Sequence, residues 1–140
     1  MGDAPIILLV VIGFFILVVY VVKPRSYYSH SHPILDKVRS NFSMLNPEFS
    51  KIPLQKGDSA FTENKSMITL CLADPQTNNY YDMNTIMYVA LHELAHVISK
   101  THGHNDEFKD NFAKLLREAS NVGIYDPSRS IPMTYCNSSD

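Results

Sequence analysis

The segment from Met83 to Lys100, MNTIMYVALHELAHVISK, is apolar on almost every side yet carries two histidines and a glutamate. Ile86, Met87, Val89, Ala90, Leu91, Leu94, Ala95, Val97 and Ile98 leave no polar face at the helical period, so this helix is stable in a small domain only if the rest of the chain wraps it. Asp82 or Asn84 supplies its N-cap. A chain of 140 residues holds one modest domain. The helix is therefore expected at its centre.

His92, Glu93 and His96 spell HExxH on that helix. Residues four apart face the same way with Cβ atoms about 5–6 Å apart, which lets both imidazoles reach one Zn²⁺ at roughly 2.0–2.1 Å. Glu93 stands one residue, about 100°, round from His92 and so beside the metal, where a general base takes a proton from a coordinated water. The alternative is a pair of core histidines bonded to main-chain carbonyls. Two imidazoles and a carboxylate on a buried helix each cost free energy unless satisfied, and a metal satisfies all three. A catalytic zinc takes three protein ligands, and the spacing leaves two candidates for the third, His102 and His104. Metzincin-type sites place a glycine three residues after the second histidine; Ser99 occupies that position here, and the nearest glycine is Gly103, directly before His104.

Pro33 followed by Ile34, Leu35, Val38 and Phe42 predicts a short amphipathic helix that ends before Pro47. SKIPLQKG and FTENKSMITLCLAD read as strand material, with Ile68, Leu70 and Leu72 alternating, and DPQTNNYYD reads as a turn. After THGH a second helix is expected from about Asn105, burying Phe108, Phe112, Leu115, Leu116 and Ala119 and stopping at Gly123. The tail from Ile124 is expected to be loop with one short extended piece.

From Ala4 to Val22 the chain carries no charge, and 19 residues make a helix of roughly 28 Å. This predicts a transmembrane helix over 4–22, a juxtamembrane tether over 23–32 in which His30 and His32 are solvated linker residues, and a zinc metallopeptidase-like domain over 33–140. Lys23 and Arg25 follow the run, so the positive-inside rule predicts a single-pass protein with a cytosolic C-terminal domain. In that compartment Cys71 and Cys136, which form no CxxC pair, are expected to be free thiols. The sequons at Asn41, Asn64 and Asn137 are relevant only to a luminal domain. Lys and Arg number 12 against 14 Asp and Glu, a formal net charge of −2 without a dense basic cluster, so no nucleic-acid footprint is expected. Oligomeric state is not readable.

HELAH followed by GHNDEF resembles the SprT and WLM groups of zinc metalloproteases, in which HExxH is followed by a short loop and a histidine about four residues before an aromatic. The resemblance covers roughly residues 60–136 and extends to small WLM-like proteins of large DNA viruses. It implies His92, His96 and His104 as zinc ligands, Glu93 as general base and Phe108 as the trailing aromatic. His102 is left as a candidate support for the ligands or the transition state. SIPMTY is similar to a Met-turn followed by tyrosine, which makes Tyr135 a candidate to polarise a substrate carbonyl.

The combined expectation is an α+β fold: a single N-terminal transmembrane helix, then a small zincin-like domain with a central HExxH helix, a small sheet and a packed second helix. The function expected is a membrane-anchored zinc metalloprotease acting on a protein or peptide, associated with the bilayer of a cell or virion, with the strand Met67 to Leu72 as substrate shelf. The rival is a zinc-stabilised structural membrane protein with little turnover, such as a virion component.

Overall fold

The computed structural model describes residues 32–136, together with Ile12. In chain order the elements are helix α1 (Pro33–Leu45), a 3-10 turn (Pro47–Lys51), strands β1 (Leu54–Lys56), β2 (Phe61–Glu63) and β3 (Met67–Leu70), and helices α2 (Met83–Ile98) and α3 (Asp106–Asn121). Each helix begins where a side chain takes over an orphan backbone donor. His32 caps α1 by accepting from the Ile34 amide through Nδ1, Asp82 caps α2 by accepting from the Asn84 and Thr85 amides, and Asn105 caps α3 by accepting from the Phe108 amide. His32 is thus a helix cap and not a linker residue, and its Nε2 lies 3.3 Å from the Tyr80 hydroxyl.

The sheet has the order β1-β3-β2, with β1 parallel and β2 antiparallel to β3. A two-residue turn joins β2 to β3: Asn64 and Lys65 both have positive φ, 48° and 55°, and the Ser66 amide donates to the Glu63 carbonyl at 3.0 Å. Such a turn matches the twist of the strands it joins. Gly57 lies so close to β3 that an added Cβ would stand 2.4 Å from the Thr69 methyl. Because β3 is central, Ile68, Thr69 and Leu70 are all buried in succession, and the alternation expected for a half-covered strand is lost.

Helix α2 packs on β2 and β3 with one side and on α3 with another. Ile86, Met87, Ala90, Leu91, Leu94 and Ala95 are fully enclosed, and Leu35, Val38 and Phe42 of α1 complete the same core. Asn41, the first sequon asparagine, is itself buried.

Two expectations are corrected here. The observed class is a small α+β domain of three helices and a three-stranded sheet, and no helix among the described residues is long and apolar enough to cross a membrane. The most apolar of them, α2, has 16 residues, or about 24 Å, short of the roughly 30 Å of a bilayer core, and its apolar surface is already covered by protein. A single-pass membrane protein with a cytosolic domain is therefore not supported; apart from Ile12, the run 4–22 and the tether to residue 31 lie outside the described residues. The second correction is that Cys71 and Cys136 are joined in a disulfide with Cα atoms 6.1 Å apart. The expectation of free thiols rested on a reducing compartment, and the two cysteines, 65 positions apart, carry no local signal of pairing.

The Asp82 carboxylate accepts from the Thr85 hydroxyl at 2.7 Å and lies 3.3 Å from Arg129. The Thr85 hydrogen bond, ahead of the backbone amides and Arg129, holds its pKa below the ordinary 3.8. A lowered folded-state pKa contributes stability that is complete above the unfolded value and disappears as pH falls through the folded one. Asp82→Ala is expected to cost about 1–2 kcal/mol at pH 7. Urea unfolding at stepwise lower pH should show wild type and variant converging in acid; a constant gap would contradict the assignment.

A candidate metal centre between two helices

Helix α2 places His92 and His96 on one face, and the chain turns back after Ser99 so that His104 arrives from the loop ahead of α3. The Nε2 atom of His104 lies 3.1 Å from Nε2 of His92 and 3.1 Å from Nε2 of His96. The three ligand atoms all lie within 4.8 Å of one another. Two nitrogens bound to a tetrahedral Zn²⁺ at 2.0–2.1 Å stand about 3.3–3.4 Å apart, so the spacing fits a metal-ligand triangle.

Phe108 fixes the ring orientations. It is buried, stacks on His96 with centroids 4.3 Å apart, and meets His92 at 4.9 Å and His104 at 4.8 Å edge-on. Its own amide is held by the Asn105 side chain at 3.1 Å, so the cap of α3 and the aromatic wall form one unit. Phe112, one turn further on, covers the outer side of His92 at 5.2 Å.

The loop between His96 and His104 is tied from both ends. Ser99 donates to the Ala95 carbonyl at 2.7 Å and accepts from Asn111 of α3 at 2.9 Å. Glu107 accepts from the Lys100 amide and from the Thr101 hydroxyl, and these bonds hold its pKa below the ordinary glutamate value. From the other side Lys65 donates to the carbonyls of His96, Ser99 and Thr101. Gly103 turns the chain into His104 with φ of +84°, a left-handed conformation in which glycine carries no steric penalty.

Glu93 is buried on the β2 side of the histidines. Thr62 of β2 lies 2.7 Å from its Oε2 and 2.9 Å from its carbonyl oxygen, so one hydroxyl bridges side chain and backbone of the same residue. His102 is exposed and lines the cavity but lies outside the three-histidine group. Tyr135 is buried, and its hydroxyl donates to the Cys71 carbonyl; burial, with Tyr81 and Glu93 nearby, pushes its pKa up. Met133 is fully exposed, so no Met-turn packs beneath the histidines.

Residues 62–129 match the family model of the WLM domain. The fold is also similar to the crystal structure of Wss1 from Saccharomyces cerevisiae, with a TM-score of 0.55 and 18% identity over 64% of this chain and 76% of that one. The uncharacterized protein 136R of Invertebrate iridescent virus 6 is 40% identical over 76% of this chain, and protein 042R of Invertebrate iridescent virus 3 is 39% identical over 64%. A protein of Acanthamoeba polyphaga mimivirus is 37% identical over 56% of the chain. The matches span 62%, 56% and 41% of the lengths of these relatives. The fold is metalloprotease-like.

The domain presents His92 and His96 to a cavity of about 380 Å³ lined by Phe61 and Thr62 of the edge strand, with Glu93 and His102. A smaller one of about 120 Å³, lined by Tyr88, Val89, Ile131, Pro132 and Tyr135, also reaches His92 and Glu93. The strand beside the site is thus β2, at the edge of the sheet; the shelf expected over Met67 to Leu72 falls on central β3, whose two edges are already paired. The sequence reading took Phe61–Glu63 as strand material without separating it from β3, and gave no role to Thr62 or Lys65. The one local signal was the Asn64-Lys65 pair, a composition compatible with a tight hairpin turn.

The wall made by Ile131 to Tyr135 is fixed by the Cys71–Cys136 bond and by the Cys136 amide donating to the Tyr81 hydroxyl at 3.1 Å. Cross-linking residues so far apart restricts the unfolded chain strongly. Cys71→Ser/Cys136→Ser is expected to lose about 2–4 kcal/mol in urea unfolding relative to the oxidised wild type. Equal stability would mean that the bond does not form.

Proposed function

We propose that the chain is a zinc metallopeptidase in which His92, His96 and His104 hold the metal and Glu93 is the general base. The observation that carries this reading is the meeting of three imidazole Nε2 atoms next to a buried carboxylate whose orientation a strand hydroxyl holds. Zn²⁺ bound there supplies Lewis acidity and brings the pKa of a water to about 7.

The chain's own residues supply the rest. An extended peptide fits the outer edge of β2, where main-chain groups of Phe61 to Glu63 offer a strand-addition surface alongside the histidines. Glu93 takes one proton from the attacking water as its oxygen bonds to the scissile carbonyl carbon. The same carboxyl then gives that proton to the departing amine as the C–N bond breaks, so water is consumed and two chain ends result. Thr62 keeps Glu93 from rotating away between the two transfers. Tyr135, with its hydroxyl directed at the Cys71 carbonyl, shapes the smaller cavity; it reaches a substrate carbonyl only by giving up that bond. The exposed His102 stands where it contacts substrate and not the metal. The substrate class is a protein or peptide.

Two experiments test the proposal. Glu93→Gln keeps the shape of the side chain and removes its basicity, so zinc stoichiometry and thermal stability should stay near wild type while peptide cleavage falls by at least about 10²-fold. Wild-type protein that holds zinc yet cleaves no peptide would instead support a zinc-stabilised structural protein. For the ligands, His104→Ala should lose most bound zinc under mild chelator, whereas His102→Ala should keep it. Equal retention by both would show that the third ligand is misassigned.

A further inference from the structure

We infer that Lys65, at the tip of the β2–β3 hairpin, is a positioning residue that presets the third metal ligand and ties it to the substrate edge. The inference rests on the zinc-site reading above. A hairpin-tip lysine ordinarily extends into water, because its ammonium is strongly hydrated and its four-carbon stem is flexible. Here the side chain is partly buried and the ammonium donates to three main-chain carbonyls: that of His96 at 3.2 Å, that of Thr101 at 2.7 Å, and that of Ser99 between them. An ammonium has three N–H donors, and all three have an acceptor.

The choice of acceptors gives the bonds their meaning. The His96 carbonyl belongs to the second histidine itself and lies in the last turn of α2, where carbonyls lack helical partners and the helix dipole is negative. The Ser99 carbonyl is at the helix cap, and the Thr101 carbonyl is on the loop, three residues ahead of His104. One cation therefore fixes the distance between the backbone of the second ligand and the segment that delivers the third. Glu107 grips the other side of that segment through the Lys100 amide and the Thr101 hydroxyl. Between the two, little is left to vary except the turn at Gly103.

The turn that aims Lys65 at the loop places both its residues at positive φ, a conformation that side chains other than glycine seldom adopt and that the hairpin enforces. The preceding strand is the one along which a peptide would lie, with Thr62 on the general base and Lys65 on the ligand loop, three residues apart. A shift of β2 is thereby transmitted to both the base and the metal ligands.

The test is a zinc-affinity cycle, read by competition with a chromophoric chelator on wild type, Lys65→Met, His104→Ala and the double variant, with unfolding of each metal-free protein as control. Lys65→Met should weaken zinc binding about 10–100-fold in the wild-type background, the range for groups that orient a ligand. With His104 already removed, the same substitution should change affinity by less than about threefold, because the element that Lys65 positions no longer carries a ligand. Equal weakening in both backgrounds would show a general structural role and overturn the inference, as would unchanged affinity in Lys65→Met. Wild type that binds no zinc would overturn the zinc-site reading and this inference with it. If Lys65→Met does not fold, Lys65→Gln, which keeps two N–H donors without the charge, takes its place in the same cycle.

Discussion

Three imidazole nitrogens gathered within 4.8 Å of one another, two of the contacts at 3.1 Å, are the arrangement on which the rest of the structure turns. Two of the three come free of conformational cost, because a helix puts residues four apart on one face. The third must be carried round a chain reversal and stopped at the right place, and most of the local structure serves that purpose. Phe108 gives all three rings a common surface, Asn105 fixes where α3 begins, and Lys65 and Glu107 hold the loop from opposite sides.

The core makes this possible by enclosing α2. A helix surrounded by β3, α1 and α3 has nowhere to rotate, so the direction in which His92 and His96 point is settled by packing of Ile86, Met87, Leu91 and Leu94 on the other faces. Glu93 then falls inevitably between the histidine face and the sheet. A carboxylate there would be costly without a donor, and the edge strand provides one in Thr62. The proposed catalytic arrangement and the stability of the fold draw on the same contacts.

Much of this was legible in the sequence, and what was not has a common cause. The limits of α2 and α3 follow from Asp82, Asn105 and Gly123, whose roles at helix ends are local. HExxH marked two candidate ligands and a candidate base position because helical geometry needs no tertiary information. The choice of His104 as third candidate needed Gly103 and the family resemblance, since spacing alone left His102 and His104 open. The disulfide, the position of β3 in the middle of the sheet and the reach of Lys65 to Thr101 all join residues far apart in sequence, and no local pattern encodes them. The apolar run over 4–22 drew the strongest reading about location, and no described helix supports that reading.

The central claim concerns where a metal sits, and diffraction recorded on either side of the zinc absorption edge addresses it most directly. Crystals grown with zinc should give one anomalous peak within about 2.0–2.1 Å of the Nε2 atoms of His92, His96 and His104, with His102 outside the coordination sphere. Absence of a peak between the three rings, or a peak bound through His102 in place of His104, would contradict the account.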